Sequence, residues 1–179
     1  MKKENMTLYI LRLAVTLLLI AGLMAAALAG VNAITKDKIA AIKAQKTLDA
    51  IAVVLPGVDG LEEQPVTDAS GMVRALYASG DNYAVQVAPA GFDGPITMMV
   101  GVSQGKVTGI SIISHTETPG LGAVAAADNA KGEAFRGQFV GGDSFAVGTS
   151  VDAMSGATIT SKAVTSGVNA ALEFVKSLG

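Results

Sequence analysis

Ile96-Thr97-Met98-Met99-Val100-Gly101-Val102, then Ser103-Gln104-Gly105-Lys106, then Val107-Thr108-Gly109-Ile110-Ser111-Ile112-Ile113: two short runs rich in β-branched and apolar residues flank a turn centred on Gln104-Gly105-Lys106, which predicts two strands joined as a hairpin. Working outward, Val73 to Ala78 and Tyr83 to Val87 repeat the pattern, with turns at Ser79-Gly80-Asp81-Asn82 and Gly91-Phe92-Asp93-Gly94-Pro95. Four neighbouring strands with short turns predict an antiparallel sheet. Downstream, the alanine-rich segment from Gly122 to about Phe135 predicts a helix whose length Gly132 limits. The last segment, Ile159 to Leu178, predicts an amphipathic helix. Its polar stripe is Lys162, Thr165, Ser166, Asn169, Glu173 and Lys176, and its apolar face is Ile159, Ala163, Val164, Ala171, Val175 and Leu178. The fold class is therefore α+β, an antiparallel sheet packed with helices.

The N-terminus obeys a different pattern. No charge occurs between Arg12 and Lys36, so Leu13 to Thr35 forms an uncharged apolar run that, as a helix, extends roughly 35 Å and crosses a hydrocarbon core. Lys2 and Lys3 ahead of it and Ala27-Leu28-Ala29 within it also suit a cleaved signal peptide; an uncleaved anchor is the expectation. Beyond it, Ile39, Ile42, Ala50, Ile51 and Val54 recur at helical intervals among lysines, so the anchor continues as an amphipathic connecting helix that Pro56-Gly57 ends. Asp59 to Gly71 reads as a polar linker. The expected organisation is a flank at 1–12, a membrane helix at 13–35, a connecting helix and linker at 36–70, and one soluble domain at 71–179.

Composition narrows the function. The chain of 179 residues is too short for two sizeable soluble cores beside a membrane helix. A net charge of -2 with scattered lysines and arginines argues against nucleic acid as a partner. The absence of cysteine excludes disulfides, thiolate nucleophiles and cysteine-ligated clusters in this chain, and a lone histidine, His115, argues against a classical zinc site. Redox chemistry here requires an organic cofactor or a metal site without thiolates. Lys2, Lys3 and Arg12 on one side of the apolar run against Lys36, Lys38, Lys43 and Lys46 on the other lean slightly towards a cytoplasmic domain.

Ser155-Gly156-Ala157-Thr158-Ile159-Thr160-Ser161 lies at the entry to the terminal helix, where unpaired N–H groups and the helix dipole favour an anion. Gly156 permits close approach of a bulky group. Thr158, Thr160 and Ser161 offer hydroxyls that accept a phosphoryl group or hydrogen-bond to one, and Lys162 adds positive charge from the first turn. Read without context, the same residues also serve as an ordinary helix cap. Glu117-Thr118-Pro119-Gly120-Leu121-Gly122 is a stiff turn followed by glycines, suited to placing backbone amides against a planar ring, and equally an ordinary loop. His115 is read either as a proton donor or as a structural hydrogen-bonding residue, and Glu117 as a group that orients its loop. Tyr77, Tyr83, Phe92, Phe135, Phe139 and Phe145 are the available aromatic stacking partners, among which the sequence does not choose.

The run Asp152-x-x-Ser155-Gly156-Ala157-Thr158 resembles the motif recognised by flavin transferases. The blocks Gly91-Phe92-Asp93-Gly94-Pro95-Ile96 with Met99-Val100-Gly101, and Ser114 to Gly122, resemble the other parts of the same flavin-binding domain, in the same order. Behind one membrane helix, the whole is similar to the RnfG family, the FMN-binding G subunits of Rnf-type ion-translocating ferredoxin:NAD oxidoreductases, with the NqrC subunits of sodium-pumping NADH:quinone reductase as relatives. The resemblance implies FMN joined by a phosphoester to Thr158. It implies cofactor contacts from Asp152, Ser155, Gly156, Ala157, Thr160 and Lys162 and from Glu117, Thr118, Pro119, Gly120, Leu121 and Gly122, without a catalytic or metal site. It also implies the other Rnf subunits and a flavin transferase as partners, no independent substrate turnover, and a single-pass location in the inner membrane with the flavin domain outside the cytoplasm, against the charge count. The competing readings are an NqrC-like or stand-alone membrane flavoprotein subunit and an anchored binding domain without redox activity.

Overall fold

A computed structural model describes residues 3–68 and 71–178. Lys2, Ala69 and Ser70 of the flank and linker, together with Met1 and Gly179, lie outside the described residues. Helix α1 spans Lys3–Val54 without a break. By contacts the chain divides into two compact units, Met1–Gln45 and Lys46–Gly179.

The first unit is helix throughout its described length, and from Met6 to Gln45 every side chain except half-buried Thr35 is exposed. An 18-residue window reaches a mean hydropathy of 2.4, so this helix is long and apolar enough to cross a membrane. Its polar side chains are adapted to that. Thr16 Oγ1 donates to the carbonyls of Arg12 and Leu13 at 3.0 and 2.9 Å, and Thr35 Oγ1 to that of Val31 at 2.7 Å, so neither hydroxyl needs water.

The second unit holds a five-stranded, wholly antiparallel sheet in the order β1-β2-β3-β4-β5: β1 Glu62–Gln64, β2 Val73–Ser79, β3 Asn82–Val87, β4 Thr97–Ser103 and β5 Lys106–Ser114. The four expected strands are present. β1 is an addition inside the expected linker, where Glu62, Glu63 and Gln64 pair with Ala78, Tyr77 and Leu76. All three of its side chains are exposed, so no hydrophobic alternation announces it.

Both faces of the sheet are covered, which is why β4 is buried at every position from Met98 to Val102. On one face Val85, Val87, Met98, Val100 and Val102 pack with α3 (Thr158–Lys176) through Val164, Val168 and Leu172, and with the tilted ring pair Phe139 and Phe145. On the other, Ala84 and Met99 meet Ala50, Ile51, Val54 and Leu55 from the end of α1 and just beyond it. Gly101 and Gly109 face each other across β4 and β5 beneath that end. A Cβ on Gly101 would lie 2.6 Å from the Val54 carbonyl oxygen. Thr108 Oγ1 donates to that same oxygen at 2.5 Å, closing one of the free carbonyls at the helix terminus. Of the expected amphipathic stripe, Ala50, Ile51 and Val54 are thus buried while Ile39 and Ile42 remain exposed.

Two expectations are corrected. The alanine-rich segment is a 3-10 helix at Gly122–Ala126 and a separate helix α2 at Ala130–Gly137. Asn129 Oδ1 accepts from the amides of Lys131 and Gly132 at 3.1 and 3.0 Å and starts α2, while Arg136 Nη1 donates back to the carbonyls of Ala125 and Ala127 and holds the break. Gly132 lies within α2 instead of ending the helix, because its bare Cα rests against the Ala127 and Val124 carbonyls. In α3, Ile159 is exposed and Thr165 is buried, the reverse of the expected stripe, and exposed Leu178 lies beyond the helix, which ends at Lys176. Ile159 belongs to the first turn, ahead of where the helix meets the sheet, and Thr165 returns its hydroxyl to the Ser161 carbonyl at 2.8 Å.

Candidate functional site

The site is built around a buried carboxylate. Glu117 follows β5 and is 5% exposed. Its Oε1 accepts from the backbone amides of Phe92 at 2.8 Å and Asp93 at 3.3 Å, and its Oε2 accepts from the Thr160 hydroxyl. One side chain therefore ties the 91–94 loop, the segment after β5 and the first turn of α3 together. The room for it exists because Gly91 and Gly122 flank it; a Cβ on Gly122 would lie 2.5 Å from both Oε2 and the Thr160 hydroxyl. Burial pushes the Glu117 pKa up, but the bonds from Thr160, Asp93 and Phe92 and the nearby His115 outweigh it, leaving the carboxyl below its ordinary range. It is a fixed anion, not a proton donor. His115 accepts at Nδ1 from the Glu117 amide at 3.2 Å, a structural bond.

Each neighbouring loop is locally determined. The Gly91 amide donates to the Gly94 carbonyl at 2.7 Å, and Ala90 bridges to Pro95. Thr118-Pro119-Gly120-Leu121 is a turn closed by the Leu121 amide on the Thr118 carbonyl at 3.2 Å, with Gly120 at φ 77° in its third position. Met154 to Ala157 turns likewise, with Gly156 at φ 73° and the Ala157 amide on the Met154 carbonyl at 3.0 Å. Ser161 Oγ accepts from the Met154 amide and donates to the Ala157 carbonyl, both at 3.0 Å, fastening this turn to α3.

Ala157 occupies the N-cap of α3 and no side chain caps the helix. The Ser and Thr residues here are thus not a cap. Thr158 is exposed, and among the described residues its hydroxyl has no hydrogen-bond partner. Thr160 is buried and committed to Glu117, and Ser161 is buried and committed to Met154 and Ala157. Of the three hydroxyls at this helix start, Thr158's alone is on an exposed residue and, among the described residues, without a partner.

Thr158 lines a cleft of about 320 Å³ with Gly156, Ala157 and Ile159 on one side. Glu117, Thr118, Leu121, Gly122 and Phe92 complete its lining. All three sequence blocks meet here. Other expected residues lie elsewhere. Asp152 and Ser155 line a neighbouring depression of about 560 Å³ that shares Gly120 and Leu121 with the turn. Lys162 lines a third depression, beside Met72 and Val147. Pro119 is exposed in its turn, and Thr160 sits behind the cleft wall. Two cleft residues go beyond the expected set: Phe92, one of six aromatic candidates in the sequence, and Ile159, expected in the core. The position of Phe92 inside the Gly91–Pro95 block is the signal that distinguishes it.

The arrangement suits a planar, largely apolar group bearing a phosphate. Apolar side chains and bare glycine backbone line the cleft, and the uncapped helix start beside it favours an anion. Among the described residues, no group of three or more His, Cys, Asp or Glu side chains is placed to hold a metal.

The family model of the FMN-binding domain matches residues 91–173, the segment containing every cleft residue. A second model, the RnfG N-terminal region, matches residues 1–54, which end where α1 ends. The G subunit of the Na(+)-translocating ferredoxin:NAD(+) oxidoreductase complex of Acetobacterium woodii is 32% identical over 94% of this chain and 93% of its own. The G subunit of the ion-translocating oxidoreductase complex of Methanosarcina acetivorans is 32% identical over 93% of this chain and 94% of its own. The G subunit of the proton-translocating ferredoxin:NAD(+) oxidoreductase complex of Clostridium ljungdahlii reaches 45% identity over 52% of each chain. With an apolar N-terminal helix, an FMN-binding domain and near full-length similarity to these proteins, the chain belongs to the RnfG family, the G subunits of ion-translocating oxidoreductase complexes.

Proposed function

We propose that this chain is the flavin-bearing electron-transfer subunit of an Rnf-type ion-translocating ferredoxin:NAD oxidoreductase, anchored by α1 and carrying FMN as a phosphoester on Thr158. The observation that carries the reading is the Thr158 hydroxyl, exposed and, among the described residues, unpartnered at the uncapped start of α3 in a cleft that unites the three sequence blocks. The family match supplies the cofactor, and the cleft residues fit it.

FMN, when bound, exchanges one or two electrons. The protein's part is placement. Thr158 tethers the phosphate, whose remaining negative charge sits against the positive end of the helix. Gly156 and Ala157 leave space beside the tether. Thr118, Leu121 and Gly122 offer backbone and apolar surface to the ring, and Glu117 holds the loops in register. A tethered flavin serves as a fixed relay between partner subunits, so no substrate pocket is required. Asp152, Ser155, Gly156, Ala157 and Thr158 are the residues a flavin transferase reads, and all but Ala157 are exposed and so accessible to it.

In this reading residues 13–35 cross the inner membrane, and the flavin domain lies on its extracytoplasmic side; beyond residues 71–179 that domain takes in β1 and the end of α1, which pack with its sheet. The test is to express the chain with and without a flavin transferase and inspect a denaturing gel under ultraviolet light. A fluorescent band that depends on the transferase is expected; a dark band in both cases contradicts covalent attachment.

A further inference from the structure

Among the described residues after Leu55, five large hydrophobic side chains are exposed: Phe92, Leu121, Val140, Ile159 and Leu178. Three of the five, Phe92, Leu121 and Ile159, line the Thr158 cleft. Single exposed apolar side chains are ordinary on a soluble surface, but three converging on one cleft form a patch that needs an occupant.

The aromatic residues of the soluble unit point the same way. Phe135, Phe139 and Phe145 are buried in the core, and Tyr77 packs with the cluster on the opposite face of the sheet. Tyr83 packs against the main core. Phe92 is 66% exposed and is the one aromatic residue lining the cleft. Its root is fixed: the Gly91 amide closes the loop on Gly94, and the Phe92 amide is held by the Glu117 carboxylate at 2.8 Å. An exposed ring on a braced loop loses little freedom when it covers a planar ligand.

We propose that Phe92 stacks on the isoalloxazine ring of the flavin, with Ile159 and Leu121 as the remaining apolar contacts, and that Glu117 is the positioning residue that aims Phe92. The proposal rests on the reading of Thr158 as the tether. The occupant follows from the cleft itself, since Thr158, whose hydroxyl would carry the cofactor, lines the same cleft as Phe92, Leu121 and Ile159. Stacking of this kind restrains the ring and excludes water from one face.

The test uses the full-length flavinylated chain in detergent. Phe92→Trp, Phe92→Ala and the control Val140→Trp are compared by intact mass, flavin fluorescence lifetime and anisotropy decay. All are expected to retain the flavin mass. Phe92→Trp should shorten the lifetime several-fold, because an indole in contact with an excited flavin quenches it. Phe92→Ala should speed the anisotropy decay, and Val140→Trp should match the unmodified chain. If the flavin mass is present and neither Phe92 variant changes lifetime or anisotropy, stacking is refuted while the tether stands. If the unmodified chain carries no flavin mass, the tether itself fails and the stacking proposal falls with it.

Discussion

Replacing Glu117 by alanine should loosen the cleft far more than replacing it by glutamine. The alanine variant strips acceptors from the Phe92 and Asp93 amides and from the Thr160 hydroxyl. Leaving a buried donor unpaired costs roughly 1–3 kcal/mol. Phe92 and Asp93 are exposed residues whose amides water reaches once the loop opens, so the total is placed at about 3 kcal/mol. Glutamine keeps Oε1 as an acceptor for the amides, and the Thr160 hydroxyl can turn to accept from the new amide, so its cost is about 1 kcal/mol. Hydrogen exchange of a peptide covering 88–96 reads this directly. Protection should fall about 100-fold in Glu117→Ala and about fivefold in Glu117→Gln, at roughly 1.4 kcal/mol per factor of ten. The pH dependence has a definite sign. The folded-state pKa of Glu117 is lowered, so its contribution is present above the unfolded value and is lost as pH falls through the folded value. The unmodified chain should therefore lose loop protection in acid, and Glu117→Gln should lose less. Equal protection in Glu117→Ala and the unmodified chain would refute the bracing role.

Further predictions concern the glycines and the end of α1. Gly122→Ala places a methyl group 2.5 Å from Glu117 Oε2 and Thr160 Oγ1 and should lower stability by about 2–3 kcal/mol, measured by thermal denaturation. Gly120→Ala has open space but φ 77°, so only about 1 kcal/mol of backbone strain is expected, with flavin retained and its reduction potential shifted in a redox titration. Gly101→Ala drives a methyl group towards the Val54 carbonyl and should destabilise by about 2–3 kcal/mol, whereas Thr108→Val removes only the capping bond and should cost about 1 kcal/mol, both read from denaturant midpoints.

Much of this architecture is legible in the residues. The four long strands follow from short β-branched and apolar runs between turn residues, and the terminal helix from its helical period, which places Ala163, Val164, Ala171 and Val175 in the core. β1 escapes such a reading because its pairing with β2 involves backbone groups and three exposed polar side chains. The split of the alanine-rich segment turns on Asn129 and Arg136, whose hydrogen bonds outweigh a helical composition that otherwise runs on. Helical period assigns Ile159 to the core, but the first turn of α3 precedes the sheet contact and places it in the cleft. At the site, the order of the motifs brings out Thr158 and the 117–122 turn. The bond from Thr160 to Glu117 spans 43 residues and joins two motifs, a relation that no local pattern contains. It also removes Thr160 as a rival to Thr158.

Whether Thr158 carries the flavin is decided by the intact mass of the purified chain together with that of Thr158→Val, a substitution at an exposed position that should change stability by less than about 0.5 kcal/mol. A gain equal to one FMN less one water is expected in the unmodified chain, and no gain in Thr158→Val. The same gain in Thr158→Val, or none in the unmodified chain after expression with a flavin transferase, would disprove the assignment.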